Sequence, residues 1–265
     1  MRFFSEKKIE IYLKSLFFSN HLSLKRRAMR FYNKPVEPEI RIVNTLVDKK
    51  LASVDIGVYR GVYSYFLLKY SSHVYSFEAN PILIKLLIDT FKKYKAITIE
   101  NFAISSLSGS INLRIPYRDN KLNYTNDEEK YELGLATVHK NNNLNKKKYK
   151  EFNVKKIAID DYNFKHPLGF IKIDVEGHEL EIIKGAIKTI KKFKPNLLIE
   201  IEAQHSGIKQ IETINYIKSL GYDCFILDHK NYSLIVINSE NIDNYSNHNF
   251  TNYNNYNFIF KPSNQ

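Results

Sequence analysis

One stretch constrains the fold more than any other: residues 51–78, LASVDIGVYRGVYSYFLLKYSSHVYSFE. Residues 53–56 are a short, mostly apolar run leading into Asp55-Ile56-Gly57, and Gly61 follows in the same turn. Residues 62–70 then carry apolar side chains at helical rather than alternating spacing. Residues 73–77 are a second β-prone run, closed by Glu78. The order strand, glycine turn, helix, strand is half of a nucleotide-binding βαβ unit. Glycines let backbone come close to a ligand, and a helix N-terminus aims free N–H groups at it. Glu78 comes 23 residues after Asp55, near the offset at which a carboxylate reaches a ribose.

The glycine pattern narrows the ligand. It reads Asp-x-Gly-x-x-x-Gly, and Tyr59 stands where a dinucleotide fingerprint needs its second glycine for close approach to a pyrophosphate. A cofactor with an adenosine ribose and no pyrophosphate fits better, and S-adenosylmethionine is one. The alternative is an ordinary strand–turn–helix; Asp55 before the glycines and Glu78 after them weigh against it.

With 265 residues and 43% hydrophobic content, the chain can build one large core with appendages. No apolar run approaches the roughly 18 residues of a spanning helix. Cys224 is the only cysteine, so no internal disulfide can form, and its apolar surroundings suit a buried small side chain. These features, with an N-terminus that lacks a signal-peptide pattern, lead to the expectation of a cytoplasmic protein. The net charge of +12 is compatible with nucleic acid, anionic lipid or acidic substrates. The abundance of Lys with Asn, Ile and Tyr along the whole length also fits compositional drift with solvated lysines.

Residues 1–34 are expected to be a helical, basic appendage. Residues 6–18 carry an apolar stripe, and Lys25, Arg26, Arg27 and Arg30 form a basic cluster. Such a segment packs on the domain with a solvated basic face, or contacts a membrane surface. Residues 35–265 form the main domain. Strands are expected at 53–56, 73–77, 96–100, 154–159, 169–175, 196–201, 222–227, 233–238 and 258–261, alternating with helices at 62–70, 81–94, 177–191 and 208–220. A small hairpin is expected at 105–116, turning near Ser108-Gly109, and residues 117–153 read as a polar, partly mobile insert on the substrate side. Regular alternation implies an α/β sandwich with a mostly parallel sheet. Its ligand would lie at the C-terminal strand ends.

Acids stand at four of those ends: Asp55, Glu78, Asp174 with Glu176, and Glu200 with Glu202. Placed along one edge, they can bind hydroxyl or cationic groups, hold a metal or act as a base. Glu176 also suits a helix-capping role. A sulfonium donor brings an already activated methyl group, so the protein needs to align an acceptor and, for a hydroxyl, take its proton. Candidates for that base are Asp174, His178, His205 and His139. His178 falls in the first turn of a helix, whose dipole disfavours its charged form. A divalent metal between Asp174 and Glu200 is left open.

Further motifs carry a family resemblance: Phe77-Glu78 with Asn80-Pro81, Lys172 to Gly177 with Lys184-Gly185-Ala186, Lys194-Pro195 to Glu200, and Pro38-Glu39-Ile40 ahead of the first strand. Together with Asp55-Ile56-Gly57 and Gly61 they resemble the FkbM family of S-adenosylmethionine-dependent methyltransferases, over roughly residues 36–228. The resemblance implies a Rossmann-like class I methyltransferase sandwich, with a mostly parallel seven-stranded sheet and helices on both faces. It implies that Asp55, Gly57 and Gly61 line the methionine end of the cofactor, that Glu78 holds the ribose, that Asn101 and Ala103 lie near the adenine, and that Asp174 sits beside the transferred methyl. Val58-Tyr59 departs from the family's usual Ala-Asn. The family is similar to O-methyltransferases of sugars and natural products, so the expected acceptor is a saccharide or small-molecule hydroxyl. Alternatives are a nucleic-acid methyltransferase, disfavoured because Asp-Val-Glu-Gly replaces the Pro-Pro-aromatic turn presented to a flipped base, and a non-catalytic binding module.

Overall fold

The structure, a computed structural model, describes residues 20–34, 37–118, 130–202, 210–238 and 257–263. The helical stripe at 6–18 and His205 lie outside them. The strands are β1 (Ala52–Ile56), β2 (Val74–Phe77), β3 (Ile97–Glu100), β4 (Ala103–Ile104), β5 (Gly109–Pro116), β6 (Tyr149–Ile157), β7 (Leu168–Ile173), β8 (Asn196–Glu200), β9 (Tyr222–Leu227), β10 (Leu234–Ile237) and β11 (Asn257–Pro262). The helices are α1 (Asn20–Asn33), α2 (Val43–Leu46), α3 (Val62–Tyr70), α4 (Pro81–Phe91), α5 (Glu179–Lys184), α6 (Ile187–Phe193) and α7 (Gln210–Ser219).

The main sheet runs β10-β9-β11-β8-β7-β1-β2-β3. The five strands from β3 to β8 pair in parallel, as strands joined by helical crossovers must. β11 then enters antiparallel between β8 and β9. β10 folds back on β9 as a hairpin, so this sheet has eight described strands where seven were expected.

Strand parity sorts the side chains onto two faces. Ala52, Val54, Ile56, Ile171, Ile173, Leu197 and Ile199 pack in one core cluster with Ile182, Ile183 and Ile190 of α5 and α6. Val74, Phe170, Leu198 and Ile259 point the other way, into a cluster with Phe66 and Leu67 of α3, Leu87 and Phe91 of α4, and Leu24 and Ala28 of α1. Thus α1 packs on the domain through Leu24 and Ala28, while Lys25, Arg26 and Arg30 stay exposed. Helices cover both faces, as the alternating pattern required.

Parity also collects polar groups. Asp55 pairs in register with Ser76 on one side and Lys172 on the other. Ser76 and Glu78 sit an even number of positions from Val74, Lys172 and Asp174 from Phe170, and Glu200 from Leu198, all in the second cluster, while Asp55 sits an odd number from Val54 and Ile56 of the first. The strand-end acids therefore gather on the α3 side of the sheet.

Three local expectations are corrected. Residues 105–116 do not form a hairpin. β4 and β5 each pair with β6, which lies between them in a separate sheet ordered β4-β6-β5. The strand near 154–159 starts earlier, at Tyr149, and its eight register pairs with β5 take up the end of the insert. The helix expected at 177–191 is broken into α5 and α6. Asp160, from a distant turn, accepts the N–H groups of Lys188 and Thr189 at 2.9 and 2.8 Å, and its own N–H donates to the Gly185 carbonyl at 2.9 Å. This external cap starts a second helix, and Ile182 of α5 is fully buried.

The described part of the insert is packed. Tyr131 is 1% exposed, with its ring 5.1 Å from that of Tyr117, and Leu133, Val138 and Leu144 are buried. Residues 114–117 bridge to 131–137 in antiparallel fashion. Thr137 Oγ1 and Asn142 Nδ2 both donate to the Glu176 carbonyl, at 2.8 and 2.9 Å.

Candidate active site

A cavity opens at the C-terminal ends of β1, β2, β7 and β8. Its wall includes Gly57, Tyr59, Glu78, Phe102, Ala103, Asp174 and Glu200, with Leu113 of β5 and Leu133, Gly134, Ala136 and Val138 of the insert closing the far side. Four strand ends and the small sheet thus enclose it.

The turn after β1 shapes the cavity through its glycines. Gly57 has φ +81°, and a Cβ there would lie 1.7 Å from the Asp174 carbonyl oxygen. Glycine at 57 lets the ends of β1 and β7 meet, which is a backbone-to-backbone requirement more than a ligand one. Gly61, at φ +80°, starts α3, and a Cβ would lie 2.6 Å from the Phe91 ring. It seats α3 on α4 and is off the wall.

Glu78 closes β2. Its Oε2 accepts the Tyr59 N–H at 2.7 Å and its Oε1 accepts the Asn80 N–H at 2.8 Å. Burial raises the carboxyl to about 7 despite those two backbone bonds. The side chain is fixed by main chain on both sides, and each oxygen keeps a lone pair for a ligand hydroxyl. Tyr59 makes this possible by adopting φ +50°. Its ring, 42% exposed, stands at the mouth beside Gly134 and under the Arg60 guanidinium.

Asp55 is placed differently from its expected role. It is fully buried and does not line the cavity; its Oδ2 accepts from Ser64 Oγ of α3 at 2.6 Å, and Ser64 reaches on to Ser76 at 2.8 Å. Burial pushes its carboxyl up, opposed by Lys172 and the Ser64 hydrogen bond. Asn101 is also off the wall: its Nδ2 donates to the Glu78 carbonyl at 2.7 Å and so pins the β2 and β3 ends together. Ala103 is on the wall, next to Phe102.

At the other end, Lys172 Nζ lies 2.7 Å from Asp174 Oδ2 and 4.7 Å from the Tyr63 ring centroid. Lys172 is 4% exposed. Burial alone would pull it down, but Asp174, Asp55 and Glu37 together hold it above its ordinary value. Glu200 hydrogen-bonds Asp174 by its side chain. The charge of Asp174, then burial, then that hydrogen bond push the Glu200 carboxyl well up. Two acids on the cavity floor therefore share one buried lysine behind it.

His178 is not part of that floor. It is 7% exposed, its Nε2 lies 3.0 Å from Ser105 Oγ, and its Nδ1 is buried without a hydrogen bond. Burial first, then His139, bring it down to about 4. Its ring lies 5.9 Å from that of His139. The structure thus brings Gly57, Glu78, Ala103 and Asp174 together and leaves Asp55, Gly61, Asn101 and His178 behind the wall. Among the described residues, no group of three or more His, Cys, Asp or Glu side chains is arranged to hold a metal. The Asp174–Glu200 pair does not fit one either, because Lys172 and the mutual hydrogen bond already occupy it. Cys224 is buried and free, its thiol pushed up to about 12 by burial.

Residues 55–224 match the model of the methyltransferase FkbM domain. The chain belongs to the FkbM methyltransferase family. No curated protein sequence matches this FkbM-family chain. Its fold is similar to that of a methyltransferase FkbM from Methylobacillus flagellatus KT, at 17% identity and a TM-score of 0.50, over 91% of this chain and 54% of the other. The chain therefore spans about half the length of that relative. Weaker likenesses are to a putative methyltransferase from Streptococcus mutans in complex with SAH (11% identity, TM-score 0.41, 86% and 97% of the two chains) and to a SAM-dependent O-methyltransferase from Thermotoga maritima (11%, 0.44, 86% and 66%). The fold is the Rossmann-like sandwich of class I methyltransferases. Among the described residues no helix is long and apolar enough to cross a membrane.

Proposed function

We propose that this FkbM-family chain binds S-adenosylmethionine across the ends of β1, β2 and β3 and methylates a hydroxyl of a saccharide or small natural product. The observation that carries this reading is Glu78: a carboxylate fixed by two backbone N–H groups, facing a cavity whose opposite end is acidic. The donor set suits the group. A carboxylate accepts the paired hydroxyls of a ribose, the Phe102-Ala103 wall offers an apolar slot for a flat base, and the acidic floor faces a cationic arm. When bound, the cofactor supplies an activated methyl group. The chain's own residues orient it, and the insert wall of Leu133 to Val138 excludes water from the acceptor side. An exposed tyrosine beside carboxylates also suits a sugar, whose apolar ring face packs on an aromatic and whose hydroxyls donate to acids.

The test is calorimetric titration of S-adenosylmethionine and S-adenosylhomocysteine into the wild type and Glu78→Gln, followed by labelled methyl transfer to glycan and small-molecule extracts. The reading expects wild-type binding, a weakening of tenfold or more in Glu78→Gln, and base-stable label in a carbohydrate or small-molecule fraction. Absence of binding would overturn it, and label confined to RNA would move it to nucleic acid.

A further inference from the structure

Among the described residues, the floor of the cavity holds one carboxyl group more than its local cation balances. Asp174 and Glu200 end the neighbouring parallel strands β7 and β8, both line the cavity, and their side chains are hydrogen-bonded to each other. A hydrogen bond between two carboxyl groups requires a proton on one of them. Lys172, 2.7 Å from Asp174, favours the carboxylate there and leaves the proton on Glu200. The charged groups around the pair are Lys172, Glu176, Glu78 and Asp55 from the strand ends, Glu179 from α5 and Glu37 from the segment before α2. Among the described residues around the pair, all but Lys172 are acids, and Glu37, Glu78 and Glu179 are themselves raised to about 7 by burial. A second positive charge entering this end of the cavity meets a group ready to give up a proton.

We infer that Glu200 is the base of the methyl transfer, freed as a carboxylate only when a cationic methyl donor is bound, with Asp174 and Lys172 as its positioning residues. The inference rests on the proposed function. With the ribose end at Glu78 of β2 and the flat base toward Phe102, the remaining arm runs past Gly57 of β1 toward β7 and β8. Glu200 releases its proton to solvent on donor binding. It then takes the proton of the acceptor hydroxyl as that oxygen's lone pair forms the new C–O bond. The electrons of the broken C–S bond stay on sulfur. Glu200 ends protonated and hydrogen-bonded to Asp174, facing a neutral thioether, which is the resting arrangement. No oxidant or further reactant is required.

The prediction needs no known acceptor. Calorimetry of S-adenosylmethionine and of S-adenosylhomocysteine near pH 7, in buffers of different ionisation enthalpy, counts the protons released by each. Linkage through Glu78 is common to both ligands, so the difference between them isolates the charged arm. The wild type should release about one proton more with the sulfonium than with the thioether. Glu200→Gln should still bind both and lose that difference, and Asp174→Asn should lose it too, covering the case in which the first variant fails to fold. Equal proton counts in the wild type, or a difference that persists in Glu200→Gln, would overturn the inference and leave the cofactor site intact. Binding of neither ligand would instead remove the proposed function.

Discussion

The two ends of the cavity hold their carboxylates by different means. Glu78 is clamped by the backbone N–H groups of Tyr59 and Asn80. Asp174 and Glu200 are held by each other and by the buried ammonium of Lys172. Main-chain donors are neutral and fixed in number, so Glu78 keeps its place whatever binds. A side-chain charge balance shifts when a charged ligand enters. One end is built for position and the other for response.

The comparison breaks most severely at Lys172. Lys172→Met removes the cation facing Asp55, Asp174 and Glu37 and leaves their charge buried, at a cost of about 3–5 kcal/mol in denaturant unfolding. Gly57→Ala strikes the point where the two ends meet. The added Cβ has no room beside the Asp174 carbonyl and its φ is unfavourable, so a loss of about 3 kcal/mol or failure to fold is expected by the same measurement.

Glu78 offers a test that separates position from response. Its carboxyl, at about 7, must ionise to accept ribose hydroxyls well. Affinity for S-adenosylhomocysteine should therefore rise as pH climbs through about 7, by roughly tenfold, and Glu78→Gln should bind weakly with no such slope. Folding stability runs the opposite way. A carboxyl raised in the folded state contributes fully below the unfolded value and loses its contribution as pH rises through the folded one. The ligand-free wild type should thus become less stable between about pH 4.5 and 7, and Glu78→Gln should soften that fall. The smallest effect belongs to the insert. Thr137→Val removes one of two hydrogen bonds to the Glu176 carbonyl and should cost about 1 kcal/mol, with Asn142 retaining the other.

The responsive end was only partly legible from sequence. Asp174 and Glu200 were visible as acids at strand ends, yet their joint behaviour depends on Lys172, two positions before Asp174 on the same strand face. Asp55 shows the converse. Its position suggested a ligand contact, but strand parity turns it under α3, where Ser64 receives it. Alternation along β1 carried that information, with Ala52, Val54 and Ile56 claiming the opposite face. The β1–α3–β2 unit and the parallel order were readable because their patterns are local. The intrusion of β6 between β4 and β5, and the Asp160 cap that splits α5 from α6, join segments with no local signature. The insert hid its packed residues for a similar reason. Tyr131, Leu133 and Val138 bury themselves from turns and bridges, so no period of two or 3.6 marks them.

The position of β11 sets a schedule for synthesis. Residues 257–262 are made after β9 and β10, yet they lie between β8 and β9. Until they emerge from the ribosome, the β8 edge at Leu197 to Ile199 has no neighbour, and the β9–β10 hairpin has no place to dock. At about 5–20 residues per second, the stretch between β8 and β11 takes about 3–11 s to make. For that interval the nascent chain carries a parallel half-sheet with an open apolar edge, the kind of surface that nascent-chain chaperones shield.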